Sequence, residues 1–403
     1  MPPYIVCRLL FVALVSLSVA CQGQSTQKTA PANTPRSAAS VVIPGAEQTA
    51  LYLSALKGKR VGMVVNHTSR IGKTHLVDSL LALGVTVKTI FAPEHGFRGE
   101  ATDGEKISNG RDPKTGVLIA SLYGANRKPS PAQMDSLDVL LFDIQDVGCR
   151  FYTYISTMHY VMEACAEANK PFIVLDRPNP NGHYVDGPVL TPKFKSFVGM
   201  HPIPVVYGLT EGELAGMING EGWLGIGKTC QLTVVPVKNY THQTPYVLPL
   251  RPSPNLPNQQ AVLLYPSLCF FEGTVVSVGR GTDKQFQVIG SPDTKYGPYE
   301  FTPVDKPGAM NPPQEGKRCY GLDLTQAPIS KTGLMLDYLF DFYKRATDKS
   351  TFFLAGGGFD RLAGTDQLRL QLTAGVPEAT IRTSWQPQLA AYRQMRQKYL
   401  IYP

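Results

Sequence analysis

The segment DVLLFDIQDVGCRFYTYISTMHYVMEACAEANKPFIVLD (138–176) decides the fold. Asp138 to Ile144 is one short apolar run and Pro171 to Asp176 is another. Between them Ile155, Met158, Met162 and Cys165 recur at helical spacing, which predicts a helix over 154–168. The same alternation extends in both directions. Arg60 to Asn66 (RVGMVVN) reads as a strand, Leu76 to Leu83 as a helix, and Val85 to Ala92 (VTVKTIFA) as a second strand. Pro204 to Tyr207 reads as a further strand. Thr210 and Glu213 fit a capping box that opens a helix running to Asn219. Near-continuous apolar strands separated by helices imply a parallel sheet covered on both faces. The expectation is an α/β fold with a Rossmann-like domain over 46–240. Its first strand leads into Asn66-His67-Thr68-Ser69 rather than G-x-G-x-x-G, which weighs against a dinucleotide.

Pro245 to Pro257 is a Pro-rich crossing and marks a boundary. Beyond it, short strands are expected around 269–278 and 284–289. A helix is expected near 332–346, with Met335, Leu339 and Phe342 on one face. Another is expected near 387–399, grouping Leu389, Tyr392 and Tyr399. These make a smaller α/β domain over 245–403, and no internal repeat is visible.

The chain has 403 residues, is 43% hydrophobic and 17% charged, and carries a net charge of +8. That composition builds a sizeable core and excludes a disordered chain. The basic residues are scattered, so no nucleic-acid footprint is expected. Residues 1–20 read as an export signal, with Arg8 as the positive flank and an apolar run from Leu9 to Ala20 too short to span a bilayer comfortably. The run ends in Leu17-Ser18-Val19-Ala20-Cys21, which resembles a lipobox. Cys21 is therefore the expected lipidation site, and residues 21–45 are the tether of a periplasmic or cell-envelope lipoprotein. Cys149, Cys165, Cys230, Cys269 and Cys319 match no zinc spacing and read as buried free thiols.

In a parallel α/β sheet, ligands bind beyond the carboxyl ends of the strands. Four such ends are polar here. The first offers Asn66 and His67. The second is followed by Glu94, His95 and Arg98. The third carries Asp143, Asp146, Arg150, Tyr152 and Tyr154, and the fourth Asp176, Arg177 and Asn179. Together they predict a site for a polyhydroxylated or anionic ligand. Glu94, in a Gly-bounded loop, is the candidate general acid unless Arg98 merely pairs with it. His95 could orient it, and Asp143 or Asp146 could be the second catalytic carboxylate. Arg150 and Arg177 either grip a substrate carboxylate or neutralise Asp146 and Asp176. Tyr152 and Tyr154 suit stacking on a sugar ring. In the second domain, Glu272 and the Gly-flanked Arg280 would close a cleft from the other side, with Ser253-Pro254-Asn255 as a similar loop.

PEHGFRGE (93–100), DPKTG (112–116), SLYG (121–124), FDIQDVGCRFYTYISTM (142–158), LDRPNP (175–180) and EGTVVSVGRGT (272–282) together resemble the exo-β-N-acetylmuramidase family, glycoside hydrolase family 171. The resemblance covers about 47–402. It implies a Rossmann-like domain joined to a smaller α/β domain with the site in the cleft between them. It also implies removal of terminal N-acetylmuramic acid from the non-reducing ends of peptidoglycan fragments. The family's PEHG glutamate maps onto Glu94 and its histidine onto His95, while Cys149 stands where the family usually carries a small residue. No cofactor or metal is expected. The expected partners are peptidoglycan fragments and, through Cys21, a membrane. Two other classes compete: a tethered muropeptide-binding lipoprotein, and a metal-dependent hydrolase built on His95, Asp143 and Asp146, for which no H-E-x-x-H spacing exists.

Overall fold

The computed structural model describes residues 41–94, 96–98 and 109–403. Cys21, the leader, most of the tether and His95 lie outside them. Six strands run parallel: Arg60–Val65 (β1), Thr86–Ala92 (β2), Leu118–Ser121 (β3), Val139–Asp143 (β4), Pro171–Leu175 (β5) and Gln231–Val235 (β6). Their order in the sheet is β3-β2-β1-β4-β5-β6, with Gly110–Arg111 added antiparallel at the outer edge of β3. This is the doubly wound order, and it places the topological switch point between β1 and β4.

Successive residues on each strand point to opposite faces, and both faces are covered. Val139 and Leu141 pack with Val61, Met63 and the helix Leu76–Ala82 (α1). Leu140 and Phe142 face the helices Tyr154–Ala168 (α2) and Glu211–Gly220 (α3). The capping box is present: Thr210 accepts from the Glu213 amide, and the Glu213 side chain accepts from the Thr210 amide.

The smaller lobe begins with the helix Gln259–Leu268 (α4) and holds a three-stranded antiparallel sheet. Its strands Val288–Ser291 (β7), Tyr299–Phe301 (β8) and Cys319–Asp323 (β9) pair in the order β7-β9-β8. Helices Asp337–Arg345 (α5) and Glu378–Arg396 (α6) belong to it, with the short helices Gly358–Ala363 and Gln367–Thr373 between them. Leu256, Ala261, Phe270, Phe271, Phe359, Ile381 and Trp385 belong to the same buried cluster as Leu140 and α2. One continuous apolar core therefore joins the lobes.

Several elements differ from the sequence reading. Pro204 to Tyr207 is no strand of the main sheet; Val206 makes isolated bridges to Cys149 and Asp186. The sixth parallel place goes to β6, whose alternating exposure fits an edge strand. Cys269–Gly273 is a 3-10 turn, Thr274 and Ser277 make only isolated bridges, and the next strand begins at Val288. The helix expected from 332 starts at Asp337. α6 starts at Glu378 and carries Pro387 in its interior, although proline removes one ladder hydrogen bond. The buried stripe of Ile381, Trp385, Leu389 and Tyr392 holds the helix through that point. The five cysteines are buried and free. Among the described residues no helix is long and apolar enough to cross a membrane.

Arg150 joins the parts. Its side chain is fully buried and makes no ion pair among the described residues. One guanidinium nitrogen donates to the carbonyls of Pro188 (2.8 Å) and Ile203 (2.7 Å), the other to those of Leu362 (3.0 Å) and Ala363 (2.7 Å). Gly364 makes room for it: a Cβ there would lie 2.5 Å from Arg150 Nη2, and its φ of +73° suits glycine. Replacing Arg150 by Met strands buried carbonyls, each worth roughly 1 kcal/mol or more. The expected loss is about 3 kcal/mol, read as a lower denaturation midpoint in urea, and Arg150→Lys should recover little of it because an ammonium cannot span both carbonyl pairs. A variant as stable as the parent would sink this account of the clamp.

Candidate active site

The switch point, where a doubly wound sheet usually opens, is closed by its own side chains. Asn66 Oδ1 accepts from the amide (2.9 Å) and hydroxyl (2.6 Å) of Thr68. The Thr68 hydroxyl accepts from the Gln145 amide at 3.0 Å. Ser69 donates its hydroxyl to the Asp143 carbonyl. Asp143, fully buried, is gripped by Arg177 through Nε (2.6 Å) and Nη2 (2.9 Å). Asp176 accepts from Tyr402 and Thr210 hydroxyls and from the Gly212 amide. Asn179 donates to the Leu209 carbonyl and accepts from the Asn181 amide.

Asn66, Asp143, Asp176, Arg177 and Asn179 thus meet one another and their neighbours at the end of the sheet, and none of them is among the described residues lining the cavity beside Glu94. Arg150 is spent on backbone carbonyls and neutralises no aspartate. Arg98 pairs with Asp112 in two hydrogen bonds (3.0 and 2.8 Å), not with Glu94. Asp146 is also sealed in: Oδ2 accepts from the Gly148 amide (2.6 Å) and the Tyr207 hydroxyl, while Oδ1 is buried without a partner. Asp146 is not among the described residues lining the cavity beside Glu94.

The open site lies beside this plug. A cavity of about 430 Å³ is walled by Glu94 and the stretch Phe151 to Tyr154 from the larger lobe, and by Tyr265, Glu272, Arg280, Phe286 and Ala309 to Pro313 from the smaller one. Ser253 and Asn255 of the crossing segment line it too. The loop after β2 delivers Glu94, and the loop after β4 delivers the aromatic wall at the start of α2. Thr153 donates its hydroxyl to Glu94 Oε2 at 3.2 Å, and the Tyr154 hydroxyl lies 3.5 Å from the Glu94 carbonyl. Tyr152 is fixed by its hydroxyl on the Pro252 carbonyl at 2.9 Å. Its ring meets Tyr154 edge-on at 5.0 Å, and Tyr265 meets Phe286 at 4.9 Å. The Arg280 guanidinium lies 5.4 Å from the Phe286 ring centre and donates through Nε to Glu272.

Glu94 and Glu272 are the carboxylates among the described lining residues, and Arg280 is the cation. The arrangement offers an acid at one rim, an arginine–carboxylate pair opposite, and aromatic edges between them: the chemistry of a sugar with an anionic substituent. His95 lies outside the described residues. Sequence reasoning missed Thr153, Tyr265, Phe286 and the stretch 309–313 as wall residues. The only local signal for the last was the turn-forming Gly308 and Pro312-Pro313.

Burial pushes the Asp146 carboxyl up to about 6, against the Tyr207 and Gly148 hydrogen bonds. With the folded value above the unfolded one, this group's contribution to stability is full below about pH 4 and is lost as pH rises through 6. Asp146→Asn should therefore flatten the stability profile between pH 4 and 7, measured by urea unfolding at each pH. An unaltered slope would count against a protonated Asp146.

Comparison with known proteins agrees with this geometry along the whole folded body. The family models "Exo-beta-N-acetylmuramidase NamZ, N-terminal" and "Exo-beta-N-acetylmuramidase NamZ, C-terminal" match residues 61–260 and 263–402. The peptidoglycan β-N-acetylmuramidase NamZ of Bacillus subtilis is 39% identical over 380 residues, covering 87% of this chain and 89% of that protein. Two crystal structures of DUF1343 family proteins from Bacteroides fragilis also match. One is 49% identical with a TM-score of 0.84, the other 30% identical with a TM-score of 0.73, and each covers 90% of this chain and 99% of its own. The chain belongs to the exo-β-N-acetylmuramidase NamZ family and is a glycoside hydrolase acting on peptidoglycan-derived saccharides.

Proposed function

We propose that the protein removes terminal N-acetylmuramic acid from the non-reducing ends of peptidoglycan fragments, with Glu94 as general acid. The observation that carries the reading is the pairing, in one cavity, of Glu94 with Arg280 and Glu272. Muramic acid differs from N-acetylglucosamine by a lactyl ether whose carboxylate needs a cation, and arginine binds carboxylates bidentately. Arg280 is placed for that contact. A glucosaminide has no carboxylate to add to the Arg280–Glu272 pair and so forgoes that contact. Hydrolysis also needs a second group to attack or to activate water. Glu272 is the carboxylate available in the cavity, and the substrate's acetamide is a second source.

The test is release of nitrophenol from para-nitrophenyl β-N-acetylmuramide and from the corresponding glucosaminide. The parent should turn over the muramide strongly and the glucosaminide poorly. Glu94→Gln should lower kcat on the muramide by about 10²- to 10⁴-fold. Arg280→Ala should act through KM, raising it for the muramide by about tenfold or more and leaving the poor glucosaminide rate in place. Turnover of both sugars at similar rates by the parent would refute the specificity. Full activity in Glu94→Gln would refute the acid. Binding without turnover would favour a muropeptide-binding lipoprotein.

The apolar run that ends at Cys21 supports export and lipid attachment, which would hold this site in the cell envelope. Labelled palmitate should be incorporated into the parent chain and not into Cys21→Ala; equal labelling of both would dismiss the anchor.

A further inference from the structure

A second pocket, of about 380 Å³, lies on the larger lobe. Its wall comes from the short hairpin Arg70–Ile71 and Thr74–His75, the first turn of α1, and the loops carrying Arg98 and Lys114. Among the described residues four cations line it, Arg70, Lys73, Arg98 and Lys114, with the carboxylate of Asp78. Lys114 is held by Asp78 at 2.6 Å, and Arg98 by Asp112 at 2.8 Å. Arg70 commits only its Nε, to the His67 carbonyl at 3.1 Å, and the exposed Lys73 has no ion pair among the described residues. Burial lowers the His75 imidazole to about 4, so it adds no charge at neutral pH. Among the described residues, two cationic side chains therefore face the pocket without an ion pair of their own.

The pocket adjoins the cleft through two segments. Glu94 lines the cleft and Arg98 lines the basic pocket. They are four positions apart in the chain, so their Cα atoms are at most about 14 Å apart. On the other side, the Arg251 carbonyl meets His67 of the basic pocket at 2.7 Å. The next carbonyl, of Pro252, meets Tyr152 of the cleft, and Ser253 lines the cleft itself.

The direction of the substrate follows from the acid. Glu94 protonates the glycosidic oxygen, so the terminal sugar lies inward, toward Arg280 and Phe286. The departing glycan lies on the other side of Glu94. Peptidoglycan alternates its two sugars, so the first departing residue is neutral and the second is again a muramic acid. Where the peptide has been removed, that residue carries a free lactyl carboxylate.

We propose that the basic pocket is a distal subsite that binds the free carboxylate of the second muramic acid along a peptide-free glycan, through Arg70 and Lys73. The proposal rests on the muramidase reading above. It makes the enzyme select for strands of at least two disaccharide repeats whose peptides are already gone. An amide-linked peptide removes that anionic charge from the lactyl group.

The experiment compares kcat/KM for release of N-acetylmuramic acid from the peptide-free tetrasaccharide of two repeats and from the disaccharide, at low ionic strength. The parent should favour the tetrasaccharide by about tenfold, the size of one charge-assisted contact. In Arg70→Glu/Lys73→Glu the ratio should fall to about one, with the disaccharide rate as internal reference. Added salt should also shrink the ratio in the parent. A parent ratio of one, or a ratio that survives the double substitution, overturns the subsite. Should the protein cleave neither sugar, calorimetry of the Glu94→Gln protein separates the two ideas. Tetrasaccharide bound tenfold more tightly than disaccharide, and lost with the double substitution, keeps the subsite while the muramidase reading fails. Equal binding overturns both.

Discussion

The guanidinium of Arg150 is the constraint on which the site depends. A fully buried cation is costly unless its donors are all but satisfied. Here the solvation is supplied by backbone carbonyls from the 188 and 203 segments of the larger lobe and from residues 362 and 363 of the smaller one. Burial lowers the guanidinium to about 9, still far enough above neutrality to keep it charged. The planar fork matters, because only a group with donors spread over two nitrogens can hold two carbonyl pairs at once. The residue after this clamp is Phe151, the first of the aromatic wall. A bond that ties the lobes together thus also fixes where Tyr152, Thr153 and Tyr154 stand.

The second constraint is the plugged end of the sheet. Strand ends at a switch point leave backbone groups and a crevice, which many α/β proteins fill with a ligand. In this chain Asn66, Thr68, Ser69, Gln145, Asp143 and Arg177 fill it with one another. The network is dense, and within it Asn66 Nδ2 and Gln145 Oε1 stay buried with no partner among the described residues. The binding cavity is displaced along the rim to the start of α2, where Glu94 and the smaller lobe can meet.

Those two features explain what the sequence disclosed and what it hid. The doubly wound order was legible because β1, β2, β4 and β5 are near-continuous apolar runs of strand length. β6 was not, because an edge strand alternates and half of its residues look like loop. The start of α6 was hidden by Pro387, which reads as a first-turn residue and sits instead in mid-helix. Within the site, Glu94, Tyr152, Tyr154, Glu272 and Arg280 were identifiable as polar or aromatic residues in loops. Asp143, Asp176, Arg150 and Arg177 have the same chemistry and the same strand-end positions, yet in the folded chain their polar groups already hold protein partners. Spacing cannot separate an arginine that awaits a carboxylate from one already bound to Asp143 or to carbonyls. That distinction exists only once the chain is folded.

The two halves of the site also differ in how they are held. Glu94 belongs to the larger lobe and Arg280 to the smaller, so the cavity exists only while the lobes keep their spacing. Many two-lobed enzymes close on their substrate by a hinge. Here a hinge would have to break the Arg150 clamp and split a hydrophobic cluster that runs from Leu140 and α2 through Phe270 to Trp385. Both are costs of several kcal/mol. The lobes are therefore held at a fixed spacing by the fold itself. A terminal residue can enter a rigid cavity end-on, whereas a continuous strand would need the walls to open.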